Sequence, residues 1–182
     1  NWLTTNKEPL ASRVKTINTR LVDQATQRNR TPKTITPEYL LVHSFSHALI
    51  RQLTFDCGYD SSSLRERLYI SDPGTKDMVG VLIYTASGDS EGTLGGLVRQ
   101  GRPGKLENTF RAAIQNSSLC SSDPLCSESL SQGVGGLNLA ACHACMLLPE
   151  TSCEEGNRMM DRVTLIGNDE QRDIGFFKEV LP

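Results

Sequence analysis

The chain has 182 residues, and its 19 Lys and Arg stand against 21 Asp and Glu for a formal net charge of −2. With 37% hydrophobic, 22% charged and 5% aromatic residues it is neither fibrous nor disordered in composition, and its apolar runs fall far short of the roughly 20 residues that cross a bilayer. The length suits one domain, or one domain with a small appended module, and the near-neutral charge excludes a uniformly basic nucleic-acid binder while leaving room for a local patch.

The chain opens on Asn1 and stays polar through Lys33, with no signal-peptide pattern. We therefore expect a piece of a longer protein, acting in the cytoplasm. Residues 1 to 33 carry seven bases and two acids, residues 34 to 119 eight and nine, and residues 120 to 182 four and ten. The basic start reads as a solvated helix face or a phosphate contact. Leu10, Val14, Ile17, Leu21 and Ala25 recur at spacings of three and four, one stripe of a helix that packs against something else. Residues 28 to 36, with Pro32, read as a connector, so residues 1–35 are expected to be a helical extension or linker and residues 36–182 a domain.

Thr36-Pro37-Glu38 is a helix start: a capping hydroxyl, a proline suited to the first turn, and an acid at the positive end of the dipole. The helix continues through Leu41, Phe45, Ala48, Leu49 and Leu53, and Gly58 lies near its end. Ser63 followed by Glu66 reads as a capping box opening another helix. Leu68 to Ser71 and Met78 to Ala86 read as strands joined by the turn residues Asp72-Pro73-Gly74. The near-continuous apolar run from Val79 to Tyr84 predicts a strand covered on both faces. Short helices are expected over Leu97 to Gln100, Lys105 to Asn116 and Asn157 to Arg162, then an irregular tail. The sum is a mixed α/β (α+β) fold: a small sheet, packed helices and a cysteine-rich module near the C-terminal end.

Five of the six cysteines lie between Cys120 and Cys153, while Cys57 stands alone. They are too clustered to staple the whole chain as disulfides, which argues for a metal. Thiolates suit Zn²⁺, and a structural site takes four in a tetrahedron. Cys142-x-x-Cys145 supplies two corners. Cys126 and Cys153 can supply the others, with Cys120 able to replace one of them, and Gly133, Gly135 and Gly136 let the intervening chain bend back. His143 is the least favoured ligand. A redox pair is the competing reading. Four thiols leave no open position for water, so a structural zinc is expected over a catalytic one.

His43 and His47 are spaced i, i+4, yet Ser44 stands where a zinc peptidase carries its general-base Glu. We expect interfacial histidines near Arg51. The loop from Ser87 to Gly96 holds four glycines but matches no nucleotide fingerprint, and Asp89 and Glu91 within it would repel phosphate. Arg99, Arg102, Lys105 and Arg111, interrupted only by Glu107, form the best candidate strip for DNA phosphates.

Several stretches then fall in one order: His43-Ser-Phe-Ser-His47, Cys57-Gly-Tyr59, Ser63-Leu-Arg-Glu-Arg-Leu-Tyr69, Gly92-Thr-Leu-Gly-Gly-Leu97, Ala141-Cys-His-Ala-Cys145, Ser152-Cys153-Glu154 and Asn157-Arg-Met-Met-Asp-Arg162. Over about residues 36 to 177 this resembles the MrfA-type zinc-binding domain, which closes certain bacterial DNA-repair helicases and the DrmB-like subunits of DISARM antiphage systems. The Ala-Cys-His-Ala-Cys form and Gly175-Phe-Phe177 are most similar to the latter branch. The resemblance implies a four-cysteine zinc site at Cys142, Cys145 and Cys153 with Cys126 or Cys120 upstream. It implies a non-catalytic accessory domain whose partners are DNA and a motor, either a DrmA-like helicase subunit or a helicase domain of the parent chain, with no membrane. Helicase motifs are absent from this sequence. The alternative is a metal-dependent hydrolase or nuclease using His43, His47, Asp89 and Glu91.

Overall fold

The helix that organises the molecule begins where its capping residues predict. In the computed structural model, which describes residues 1–71, 78–85 and 95–181, the Thr36 side chain accepts a hydrogen bond from the Tyr39 N–H and Pro37 fills the first turn. This helix, α3 (Pro37–Cys57), ends at Gly58, whose φ of 69° is the left-handed cap that glycine adopts at least cost. Twelve of its residues are buried, polar ones among them: His43, Ser44, Ser46, His47 and Gln52. A helix buried on most of its circumference must be surrounded.

What surrounds it comes from the whole chain. The short α1 (Trp2–Thr5) leads into α2 (Lys7–Gln27), whose predicted stripe buries Leu10 and Ile17. Between them the stripe also buries Arg13, which pairs with the fully buried Asp161. The connector to α3 is fixed by Asn18, whose side chain accepts from the Ile35 N–H and donates to the Ile35 carbonyl. Residues 1–35 thus supply Leu10, Ile17 and Ile35 to the buried interior.

Strands β1 (Leu64–Ile70) and β2 (Val79–Thr85) pair antiparallel, Leu64 opposite Thr85 and Ile70 opposite Val79, and form the only sheet among the described residues. Both pack on α3. Two expectations change here. Ser63-x-x-Glu66 opens a strand, not a helix, because Leu64 and Glu66 face inward while Arg65 and Arg67 face solvent, the alternation of a strand. And β2 is not covered on both faces: Leu82 is 49% and Tyr84 40% exposed, since two strands with α3 behind them bury one side only. The turn expected at residues 72–74 and the loop over 86–94 lie outside the described residues.

Helices α4 (Gly95–Gln100) and α5 (Leu106–Ser117) form as predicted. Phe110 of α5 meets Phe45 of α3 edge-on at 5.2 Å. Beyond α5 the chain is mostly turns, with one short α-helix, α6 (Val163–Ile166), and three single-turn 3-10 helices among the described residues. The helix expected over Asn157 to Arg162 is instead an irregular segment. Asn157 and Met159 have positive φ, and the backbone bonds back to residues 137–140: Met159 N–H to Leu137 O, Leu139 N–H to Met160 O and Arg162 N–H to Ala140 O. This layering presses the cysteine region against α3 and α5. The fold is a mixed α/β one with six α-helices among the described residues and the cysteine module toward the C-terminal end.

Candidate metal centre

Two cysteines reach the site from the turns that follow α5. Cys120 accepts at its Sγ from the Ser122 N–H (3.4 Å), and the Cys126 N–H bonds the Ser122 carbonyl (2.9 Å), folding the Cys120-x5-Cys126 segment into a tight loop. The other two come from a second turn, where the Met146 and Leu147 N–H groups both bond the Cys142 carbonyl and the Cys142 N–H points at Cys145 Sγ (3.4 Å). Chain between the two turns folds back as the glycines predict. Gln132 and Asn138 form a bridge, and at Gly135 (φ 67°) an added Cβ would lie 2.2 Å from the Gln24 side chain. Gln24 and Arg20 of α2 hold that turn through its carbonyls.

The four sulfurs lie within 4.8 Å of one another. Cys120 is 3.6 Å from Cys142, and Cys145 is 3.7 Å from both Cys126 and Cys142. A disulfide needs about 2.05 Å. Tetrahedral zinc with bonds of about 2.3 Å sets sulfur–sulfur edges of about 3.8 Å. The observed spacing matches the metal and not the disulfide. Cys126 and Cys145 are buried, and Cys120 and Cys142 half-buried.

The electrostatics single out Cys126 as the most acidic of these thiols. The hydrogen bond from Cys145 holds the Cys126 thiol well below its usual range against burial, with Gln132 and Arg162 assisting. The same bond pushes Cys145 up. Burial raises Cys120. Arg162 is 1% exposed, donates to the Ser117 carbonyl (3.0 Å) and to Asp123 (2.6 Å), and feels the charges of Cys145 and Cys126. Burial opposes its cation, and Asp123 with the two thiolates more than restores it.

The structure does not bring Cys153 to this group. Of the expected set of Cys126, Cys142, Cys145 and Cys153 with Cys120 as the alternate, Cys120 and not Cys153 lies beside the other three. The reason is local. The turn from Pro149 to Ser152 is tied to β1 by the Glu66 N–H to Ser152 O bond and to Ser61 by the Ser152 hydroxyl, which holds Cys153 against α3. There it meets His43, His47 and Glu66. Burial, aided by the Glu66 charge, pushes the Cys153 thiol up to about 12, and burial pushes His47 down. The histidines are fully buried rather than interfacial. Asp89 and Glu91 lie outside the described residues. His143 is exposed. Arg99, Arg102, Lys105 and Arg111 are all exposed around α4 and α5. Glu66 was missed as a site residue. The available signal was an acid in phase with Leu64 and Leu68 and flanked by two arginines.

A family model for the MrfA Zn-binding domain matches residues 45–146, a stretch that contains all four clustered cysteines. The chain belongs to the MrfA Zn-binding domain family. Zinc is accordingly the cofactor for which the four-cysteine cluster is built. The chain is also similar to a DISARM protein DrmB of Bacillus paralicheniformis, 42% identical over 143 residues. That match covers 79% of this chain and 25% of the relative, so the chain spans about a quarter of that protein. No helix among the described residues is long and apolar enough to cross a membrane.

Proposed function

We propose that this domain is a zinc-stabilised, non-catalytic accessory module of a DNA helicase or translocase complex in DISARM-like antiphage defence. Zn²⁺ held by Cys120, Cys126, Cys142 and Cys145 fixes the turns after α5, and the domain contacts DNA, the motor subunit, or both. The observation that carries the reading is a four-sulfur cluster of zinc dimensions in a chain 42% identical to a DISARM DrmB protein. Zinc chemistry here is scaffolding: four thiolates fill its coordination and leave no position for water. The exposed strip of Arg99, Arg102, Lys105 and Arg111 supplies the phosphate contacts.

The test uses the full-length subunit that carries this domain, with and without its motor partner. Labelled single- and double-stranded DNA are titrated at two salt concentrations against wild type and a variant with all four strip residues changed to Glu. Weaker, less salt-dependent binding by the variant supports the DNA role. Equal binding and equal motor association would remove this strip from the function.

A further inference from the structure

We propose that His43, His47, Glu66 and Cys153 form a second, fully buried metal site for a divalent transition ion of the zinc class, separate from the four-cysteine cluster. The two histidines lie one turn apart on α3, their rings 4.8 Å apart, and both are 0% exposed. Each Nδ1 faces a backbone carbonyl: His43 to Met159 O at 3.2 Å and His47 to Met146 O at 2.9 Å. A carbonyl only accepts, so each Nδ1 carries its proton. An imidazole that is neutral in this tautomer presents a bare Nε2 lone pair, the arrangement in which protein carbonyls orient metal-ligating histidines.

Both lone pairs converge on one carboxylate oxygen. Glu66 Oε1 is 3.1 Å from His43 Nε2 and 3.4 Å from His47 Nε2. Cys153 Sγ, which accepts from the Asn157 N–H at 3.2 Å, lies 3.3 Å from His43 Nε2. The four atoms lie within 4.8 Å of one another. Acceptors facing acceptors need something positive between them. Two of these atoms, His47 Nε2 and Glu66 Oε1, are buried without any hydrogen-bond partner among the described residues. The other Glu66 oxygen is taken by the Ser46 hydroxyl, which fixes the carboxylate's orientation.

The spacing fits a tetrahedral ion. Bonds of about 2.0–2.2 Å to nitrogen and oxygen and about 2.3 Å to sulfur give ligand–ligand edges of about 3.3–3.6 Å. Three of the six separations, 3.1 to 3.4 Å, lie close to that range, and all six are within 4.8 Å. The charge fits as well. One thiolate, one carboxylate and a divalent cation sum to zero, the only balance that total burial tolerates cheaply. The four-cysteine cluster would sum to −2, and it is half-exposed with Arg162 beside it. With four protein ligands and no solvent access the site is structural. It ties α3 and β1 to the turn after Pro149, which is far from both in sequence.

The experiment is zinc content by mass spectrometry and X-ray absorption at the zinc edge, on chain purified from zinc-supplemented culture. It needs no variant. The expected result is about two zinc per chain with about 2.5 sulfur and 1.5 nitrogen or oxygen neighbours per zinc. One zinc with four sulfur neighbours overturns this second site while leaving the four-cysteine cluster standing, and describes His43, His47 and Glu66 as a proton-sharing polar cluster. As a second arm, a Cys142→Ser/Cys145→Ser chain is expected to retain one zinc with a single sulfur neighbour. Complete loss of zinc from that chain, with its secondary structure intact by circular dichroism, also overturns the proposal.

Discussion

Arg13→Ala tests whether the N-terminal helix is part of the folded unit. Arg13 is 6% exposed on α2 and meets Asp161, 0% exposed, through Nε and through Nη2 (3.0 Å). Removing the guanidinium leaves an ionised carboxylate in the interior with the backbone Val163 N–H (3.1 Å) as its remaining donor among the described residues. Breaking a buried pair from one side costs about 3–5 kcal/mol. Against a total stability of about 5–15 kcal/mol that is a large fraction. At about 2–4 °C per kcal/mol for a chain of this size, the melting midpoint drops by about 6–20 °C. Zinc-saturated protein is unfolded by heat and by urea. Arg13→Met with Asp161→Asn, which removes both charges, recovers part of the loss. A loss under about 1 kcal/mol, the size of a surface pair, would refute the reasoning and leave α2 an appendage.

Other outcomes follow from the same geometry. Cys120→Ser lowers zinc content in a chelator-competition assay, whereas Cys57→Ser, half-buried and outside both clusters, leaves it unchanged. Ile50→Ala, at a 0% exposed position of α3, costs about 2–5 kcal/mol in urea unfolding. Arg99→Glu with Arg102→Glu lowers the slope of log affinity for DNA against log salt by about one per lost phosphate contact.

The sequence made α2, α3, α4 and α5 readable because each advertises itself locally. Thr36-Pro37 and Gly58 bracket α3, and the Leu10–Ile17 stripe marks the buried face of α2. The antiparallel pairing of β1 and β2 was legible from two apolar runs around a turn signal. What local pattern could not supply was which cysteines meet. Cys120 and Cys153 are equally plausible by composition, and the choice is made by distant bonds: Glu66 N–H to Ser152 O, and Ser152 Oγ to Ser61 O. Glu66 was hidden for the same reason. Ser63-Leu-Arg-Glu66 satisfies a capping-box pattern, and only pairing with β2 makes it a strand that turns Glu66 inward. The Asn157–Arg162 segment has helical composition, but its carbonyls and N–H groups are claimed by residues 137–140.

Four thiolates around Zn²⁺ leave two negative charges in a region where Cys126 and Cys145 are shielded from water, and Arg162 is the cation placed to offset them. Replacing it by Met keeps apolar volume but removes that offset. Partners of a metal's ligands typically matter by 10–100-fold in affinity, so zinc binding by Arg162→Met is expected to weaken by about that factor. The sign with pH is fixed. Without the cation the thiols hold their protons more tightly, and protons compete with zinc more strongly as pH falls. The gap between variant and wild type therefore widens from pH 8 toward pH 6.5 in a chelator competition. Arg162 also holds the Ser117 carbonyl and Asp123, so the variant destabilises the fold as well. Lost stability alone shifts unfolding without a pH-dependent change in zinc affinity. A constant gap across that range, or none, would assign Arg162 to packing and leave the cluster's charge to solvent.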